Sequence, residues 1–153
     1  MDIPALLEEL GIVLPVPVPP VAAYVPFVQT GNLVTISGQL PMDKGTIACK
    51  GRLGDNISIE EAAQGTRLCA IHLLSQLNVA CAGDLSRVVR CVRLGGFIAA
   101  TAEFTDHAKV MNGASELIQS VFGEAGRHAR STIGVASLPL GAAVEVEGLF
   151  EIR

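Results

Sequence analysis

The chain is poor in aromatic and charged side chains. It contains no tryptophan, one tyrosine and five phenylalanines, and only 17% of its 153 residues are charged. The net charge is −4 at pH 7, and the eleven basic residues are scattered apart from Arg87, Arg90 and Arg93. Binding nucleic acid relies on clustered cations for phosphates and on aromatic rings for bases. The composition therefore argues against a nucleic-acid partner.

Cysteine and histidine show no pattern typical of a metal site or a disulfide framework. The four cysteines, at positions 49, 69, 81 and 91, form no C-x-x-C pair and lie mostly within apolar runs, where thiols behave as small hydrophobic groups. The three histidines are far apart, without carboxylates or cysteines at ligand spacing. We expect reduced, structural cysteines, no metal and no cofactor.

The longest uncharged run is rich in proline. It extends from Ile12 to Gln29 and includes five prolines, which excludes a membrane-spanning helix. The start of the chain, Met1-Asp2, lacks the positive charge of a secretory signal, so we expect a cytoplasmic protein. Half of all residues are hydrophobic, and this predicts a compact domain whose exposed apolar surface favours oligomers.

The periodicity of apolar residues predicts an α+β fold, with a mixed sheet and two long helices on one face. The first 20 residues are interpreted as a short helix and a proline-rich extension, and residues 21–153 as the main domain. Within that domain the pattern predicts a hairpin over 24–39, a loop with one short edge strand over 41–56, a helix from the capping box at Ser58 to about 81, a strand after 84, a helix from 105 to about 122, and two final strands.

Two charged residues interrupt these last, otherwise apolar strands. Arg130 begins a run whose residues alternate between the two faces of a strand, and this run ends at Leu138-Pro139. Glu145 lies in the run that follows. If the two strands are neighbours, they bring Arg130 and Glu145 into one site. The simplest alternative is an interstrand ion pair at a subunit contact.

Three motifs in order carry a resemblance to a known family. They are Ser37-Gly38-Gln39 in the hairpin, Arg130-Ser131 at a strand start, and Leu138-Pro139 followed by the strand Val144–Glu147. Over roughly residues 21–153 the chain resembles the Rid/YjgF family, the reactive-intermediate imine deaminases once described as endoribonuclease L-PSP or translation inhibitors. It is similar to the longer-chain branch.

This resemblance implies a chorismate-mutase-like sandwich that forms a homotrimer with three clefts between subunits. In such members the residue matching Arg130 grips a substrate carboxylate, and the residue matching Glu145 positions a water. The resemblance places further residues in the same cleft: Tyr24, Ser37, Gly38, Asn112 and Thr132. Thr132 stands where many deaminases of the family have cysteine.

The chemistry of these residue types supports the resemblance. A guanidinium can hold a carboxylate through two parallel hydrogen bonds, and one carboxyl group can move protons to and from an imine and water. We therefore expect hydrolysis of small amino-acid-derived imines to 2-oxo acid and ammonia. Two alternatives stay open: a non-catalytic trimer that binds a small carboxylate, and an endoribonuclease or translation inhibitor.

Overall fold

A computed structural model describes residues 2–17 and 22–153, and local caps explain where its helices begin. The Ser58 hydroxyl accepts a hydrogen bond from the Glu61 N–H at 3.1 Å, and the Asp2 carboxylate accepts one from the Ala5 N–H at 3.2 Å. Each cap satisfies a backbone donor that has no partner within its helix. The helices are α1 (Ile3–Glu9), α2 (Ile59–Ala80) and α3 (His107–Phe122).

Among the described residues, seven strands form one large and one small sheet. The strands are β1 (Phe27–Thr30), β2 (Leu33–Gln39), β3 (Met42–Asp43), β4 (Thr46–Ile47), β5 (Val88–Ala99), β6 (Ala129–Val135) and β7 (Val144–Ile152). The five-stranded sheet has the order β1-β2-β7-β5-β6, in which only β5 and β6 are parallel. The α+β prediction is confirmed.

The loop region 41–56 holds one more strand than its composition predicts. Two strands of two residues each, β3 and β4, pair with one another as a separate small hairpin. Lys44 and Gly45 between them have φ angles of 49° and 82°, which reverse the chain direction within two residues.

The two long helices cover one face of the sheet. Strand β7 alternates strictly between buried and half-buried residues, and its buried side chains meet α2 and α3 in a continuous core. Ile3 and Leu7 of α1 join this core, where α1 contacts α3. Within the described residues, no helix has the length and apolar character needed to cross a membrane.

The described part of the proline-rich segment packs against α2. Residues 12–17 have neither helix nor strand structure; Ile12 is buried, and the Pro15 carbonyl accepts a hydrogen bond from the Ser75 hydroxyl. The later prolines, and the expected domain boundary between residues 20 and 21, lie outside the described residues.

A close crossing of α2 and α3 explains the glycine within α3. A Cβ atom added to Gly113 would lie 1.9 Å from the Ala63 carbonyl oxygen and 2.6 Å from the Thr66 hydroxyl. That hydroxyl donates to the Val110 carbonyl at 2.7 Å and so links the two helices. The crossing requires a residue without a side chain at position 113.

We expect Gly113→Ala to destabilise the protein, although alanine is the better helix former. Overpacking at such a contact costs about 1–3 kcal/mol, which outweighs the roughly 1 kcal/mol that alanine gains in helix propensity. Urea denaturation of the variant measures the difference. Ser120→Ala on the exposed side of α3 is the control, with a change within about 0.5 kcal/mol. A Gly113→Ala variant as stable as the original would contradict the close crossing.

Candidate functional site

The guanidinium of Arg130 is anchored to α3. Its Nη1 donates to the Asn112 Oδ1 at 2.9 Å and to the Ser115 Oγ at 3.0 Å, and its Nη2 donates to the Ala108 carbonyl at 3.3 Å. Arg130 therefore lies on the helix-covered side of the sheet. Asn112, an unusual choice inside a helix, supplies one of the three acceptors.

One edge of this guanidinium is open. A guanidinium carries five N–H groups, of which Arg130 uses both on Nη1 and one on Nη2. The remaining groups, on Nε and Nη2, have no acceptor among residues 2–17 and 22–153. They belong to adjacent nitrogens, the arrangement that binds a carboxylate through two parallel hydrogen bonds.

A chain of hydrogen bonds through Ser115 and His128 holds Arg130 in place. The His128 Nδ1 lies 2.7 Å from the Gly126 carbonyl, so this nitrogen carries the proton. The His128 Nε2 then accepts from the Ser115 hydroxyl at 2.9 Å, while that hydroxyl oxygen accepts from Arg130. Burial lowers the pKa of His128. The Gly126 hydrogen bond opposes this effect, and a still smaller contribution from the Arg130 charge lowers the pKa further. The neutral imidazole fits all three bonds.

Sequence reasoning missed Ser115 and His128, although both leave a signal in the chain. His128 lies two residues before Arg130, and strand alternation places such a pair on the same face. Ser115 lies three residues after Asn112, which is one turn along the same side of a helix.

Thr132 occupies the next helix-facing position of β6. It pairs with Gly96 of β5, where the lack of a Cβ atom admits the side chain of Met111. The Thr132 hydroxyl oxygen is buried and has no hydrogen-bond partner in the described part of the chain.

A β-bulge shapes a second group of predicted residues. Ile36 pairs with Gly148 and Gln39 pairs with Val146, so Ser37 and Gly38 together oppose the single residue Glu147. A Cβ atom at Gly38 would lie 2.4 Å from the Glu145 Oε1. Glycine at the bulge therefore makes room for the Glu145 carboxylate.

Glu145 points to the face of the sheet that no helix covers. Its side chain is half-buried, and this burial, with a smaller contribution from the Glu147 charge, raises the pKa of its carboxyl group above the usual 4.5. Glu147 itself lies 3.8 Å from the Arg93 Nη1. The carboxyl group of Glu145 thus has the higher proton affinity that general acid–base chemistry uses.

Tyr24 lies on the segment that leads into β1, and Ser37 lies in β2 of the same hairpin. Tyr24 is 56% exposed, so its ring does not belong to the hydrophobic core. The Ser37 hydroxyl donates to the Val25 carbonyl at 2.7 Å and so ties the bulge to the residue that follows Tyr24.

The two predicted groups do not meet within one chain. β5 lies between β6 and β7, so the expectation that Arg130 and Glu145 sit on neighbouring strands is wrong. The helical crossover through α3 pairs β6 with one edge of β5, while β7 pairs with the other edge. Two strand spacings separate β6 from β7 by about 10 Å, and the side chains of Arg130 and Glu145 point to opposite faces. The predicted site residues therefore form two separate groups in each chain, which we call the Arg130 half-site and the Glu145 half-site.

The cysteines have the properties of structural thiols. All four are buried and free. Burial, with a smaller effect of Glu61, raises the pKa of the Cys49 thiol to about 11, and burial raises that of Cys91 to about 12. Across residues 2–17 and 22–153, no group of three or more histidine, cysteine or acidic side chains is arranged to hold a metal ion.

Comparison with known proteins defines the family. A family model described as "YjgF/chorismate_mutase-like, putative endoribonuclease" matches residues 5–151. The chain belongs to this YjgF family, which confirms the resemblance inferred from the three motifs.

Individual relatives span nearly the whole chain. Protein TCP17 of Trypanosoma cruzi is 45% identical over 150 residues, covering 97% of this chain and 93% of that protein. Among solved structures, protein Atu1372 of Agrobacterium tumefaciens, described as of unknown function, has a TM-score of 0.92 at 46% identity, covering 99% of this chain and 93% of its own. A protein of Shewanella oneidensis MR-1, described as a "putative endoribonuclease", has a TM-score of 0.95 at 31% identity, covering 99% and 100%.

Proposed function

We propose that this protein hydrolyses small 2-imino acids to 2-oxo acids and ammonia. The observation that carries the proposal is the anchored guanidinium of Arg130, whose Nε and Nη2 edge is free to take a carboxylate. A carboxylate held there leaves the adjacent C=N carbon exposed to attack. The half-buried Glu145 supplies a proton acceptor and donor of raised pKa.

The reaction requires two proton movements, and one carboxyl group serves both. Ionised Glu145 takes a proton from water as the oxygen bonds to the imine carbon. The protonated carboxyl returns that proton to the nitrogen, which gives a carbinolamine with one hydroxyl and one amino group. Glu145 then takes the hydroxyl proton and passes it to the amino group as the C–N bond breaks and the C=O bond forms, so ammonia leaves and a 2-oxo acid remains. Because free imines are already electrophilic, orientation and an acid–base factor of about 10²–10⁴ account for the required catalysis.

A closed homotrimer would bring the two half-sites together. In this arrangement the Arg130 half-site of one copy faces the Glu145 half-site of the next, and Tyr24, Ser37 and Gly38 line the same cleft. The uncovered face of the sheet supports the arrangement, because Leu33, Val89 and Ile133 are 37%, 42% and 52% exposed in the single chain. Such apolar exposure is typical of a surface that meets another copy.

We expect light scattering to give the mass of a trimer at micromolar concentration. The expectation follows from the mean hydropathy of +0.47 and from the separation of the half-sites within one chain. Replacing the exposed Ile133 by lysine should shift the population toward smaller species, because a charge would then have to be buried in the contact. Arg52→Ala, at an exposed position on a loop, is the control. A monomer at these concentrations would remove the proposed cleft.

The pH dependence of catalysis should report on Glu145. As the base, Glu145 must be ionised, so kcat/KM falls as the pH decreases through its pKa, at a pH above 4.5. Glu147→Gln removes a charge that raises this pKa, and the acidic limb should therefore move to lower pH. Rates corrected for spontaneous hydrolysis at each pH provide the measurement. If the acidic limb of the Glu147→Gln variant stays at the original pH, the limb does not report the ionisation of Glu145.

The direct test is turnover of freshly generated 2-iminopropanoate. Faster release of ammonia and pyruvate than in buffer alone supports the enzyme. Tight binding of pyruvate without any acceleration would favour the non-catalytic carboxylate carrier, which uses Arg130 and leaves Glu145 dispensable. A parallel incubation with single-stranded RNA tests the activity in the family description. If the Arg130→Ala and Glu145→Gln variants still cleave RNA, the ribonuclease activity belongs to a different site on the protein.

A further inference from the structure

A small pocket lies directly beside Arg130, between the last turns of α3 and the segment that leads into β6. Its volume is about 210 Å³, and it is lined by Ser115, Gln119, Arg127, His128 and Arg130. The lining contains no hydrophobic side chain and no carboxylate. A bound group would therefore meet hydrogen-bond donors and positive charge.

The positive charge of the pocket comes from two arginines. Guanidinium groups stay protonated in proteins, so Arg127 and Arg130 are charged at every physiological pH. His128 contributes hydrogen bonds rather than charge, because its Nδ1 proton points to Gly126 and its Nε2 accepts from Ser115. The pocket holds more positive charge than one substrate carboxylate neutralises.

Arg127 is available to a ligand. Its neighbour Glu124 approaches it at 3.7 Å, and the two side chains are 65% and 88% exposed. An ion pair of this kind contributes at most about 1 kcal/mol in water. A ligand carboxylate that also contacts Arg130 can replace Glu124 at little cost.

We propose that Arg127 forms a second carboxylate subsite and that the substrates are 2-imino dicarboxylates of four or five carbons. The inference rests on the proposed function: Arg130 holds the carboxylate next to the C=N carbon, and Arg127 holds the distal one. Arg130 lies three residues after Arg127, a distance along the chain of at most about 10 Å, so both long side chains reach one small ligand. Gln119 adds an amide donor to the lining of the pocket.

Calorimetric titration with 2-oxo acids tests this subsite. Oxaloacetate and 2-oxoglutarate should bind the original protein at least about tenfold more tightly than pyruvate, as one charge-assisted hydrogen bond implies. Arg127→Ala should abolish this difference and leave the affinity for pyruvate unchanged. Glu124→Gln should strengthen binding of the diacids, because it frees Arg127.

Arg52→Ala is a matched control for Arg127→Ala. Arg52 is also exposed and also pairs with an acid three residues away, Asp55, but it lies outside the pocket. It should leave every affinity unchanged.

The outcomes separate the subsite from the proposed function. Equal affinity for pyruvate and the diacids, or equal weakening of both in Arg127→Ala, would overturn the subsite. If 2-iminopropanoate is still hydrolysed in that case, the proposed function stands. If none of the three acids binds and neither 2-iminopropanoate nor 2-iminoglutarate is hydrolysed faster than in buffer, both proposals are overturned.

Discussion

Replacing Arg130 by alanine is expected to weaken the binding of pyruvate by about 100-fold. Two hydrogen bonds between a guanidinium and a carboxylate are lost, and each charged hydrogen bond is worth about 1.5–3 kcal/mol before partial compensation by water. The loss should appear in the dissociation constant measured by calorimetry, and equally in kcat/KM for 2-iminopropanoate. The fold should survive, because Arg130 lies on the edge strand β6 and contacts mainly the exposed side of α3.

A lysine at the same position is the sharper comparison. Arg130→Lys keeps the positive charge but lacks the planar fork of the guanidinium. The lysine therefore cannot bond all three acceptors of α3 while it also holds both oxygens of a carboxylate. We expect an affinity between those of the original protein and of Arg130→Ala. Asn112→Ala removes one anchor of the guanidinium and should weaken binding less, by roughly tenfold. Normal pyruvate binding by Arg130→Ala would show that the cleft lies elsewhere.

Replacing Glu145 by glutamine is expected to slow imine hydrolysis by about 10²–10⁴-fold while pyruvate binding stays nearly intact. Glutamine has almost the same shape, so it fills the space that Gly38 leaves open. It cannot take a proton from water, and only the step that needs this transfer is lost. An effect confined to kcat is typical of lost transition-state stabilisation rather than lost ground-state binding.

Glu147→Gln is the matched control on the same strand and the same face. Glu147 lies two residues further along β7, and its carboxylate lies 3.8 Å from the Arg93 Nη1. Its replacement should leave the pH-independent kcat within about twofold of the original value, while moving the acidic limb described above. A Glu145→Gln variant that turns over imine at the original rate would remove the acid–base role. It would then favour a protein that binds carboxylates without converting them.

Together the two replacements assign separate tasks to the two half-sites. If the cleft forms between copies, an inactive Arg130→Ala chain and an inactive Glu145→Gln chain should complement one another when mixed into the same trimer. One of the clefts would then combine an intact Arg130 with an intact Glu145. This complementation would not arise if each chain held a complete site, because every site would then carry one of the two replacements.

The residue pattern predicts the order of the long elements and the family, but not the small hairpin of β3 and β4. The capping box at Ser58, the alternation of β7 and the glycine after α2 are local signals, and local signals are what a sequence records directly. The three motifs placed the chain in the YjgF family because their order and spacing are specific. Arg130 and Glu145 stand out as charged residues within otherwise apolar strands, and the family resemblance adds Asn112.

Tertiary structure alone decided which of these residues meet. Strand order depends on long-range pairing, and the crossover through α3 places β5 between the strands that carry Arg130 and Glu145. The same packing brings Ser115 and His128 behind Arg130 and leaves a pocket beside Arg127. A strand's alternation specifies two faces but not which neighbour lies beside it. For that reason the sequence predicts the candidate residues, whereas the fold divides them into two separate groups.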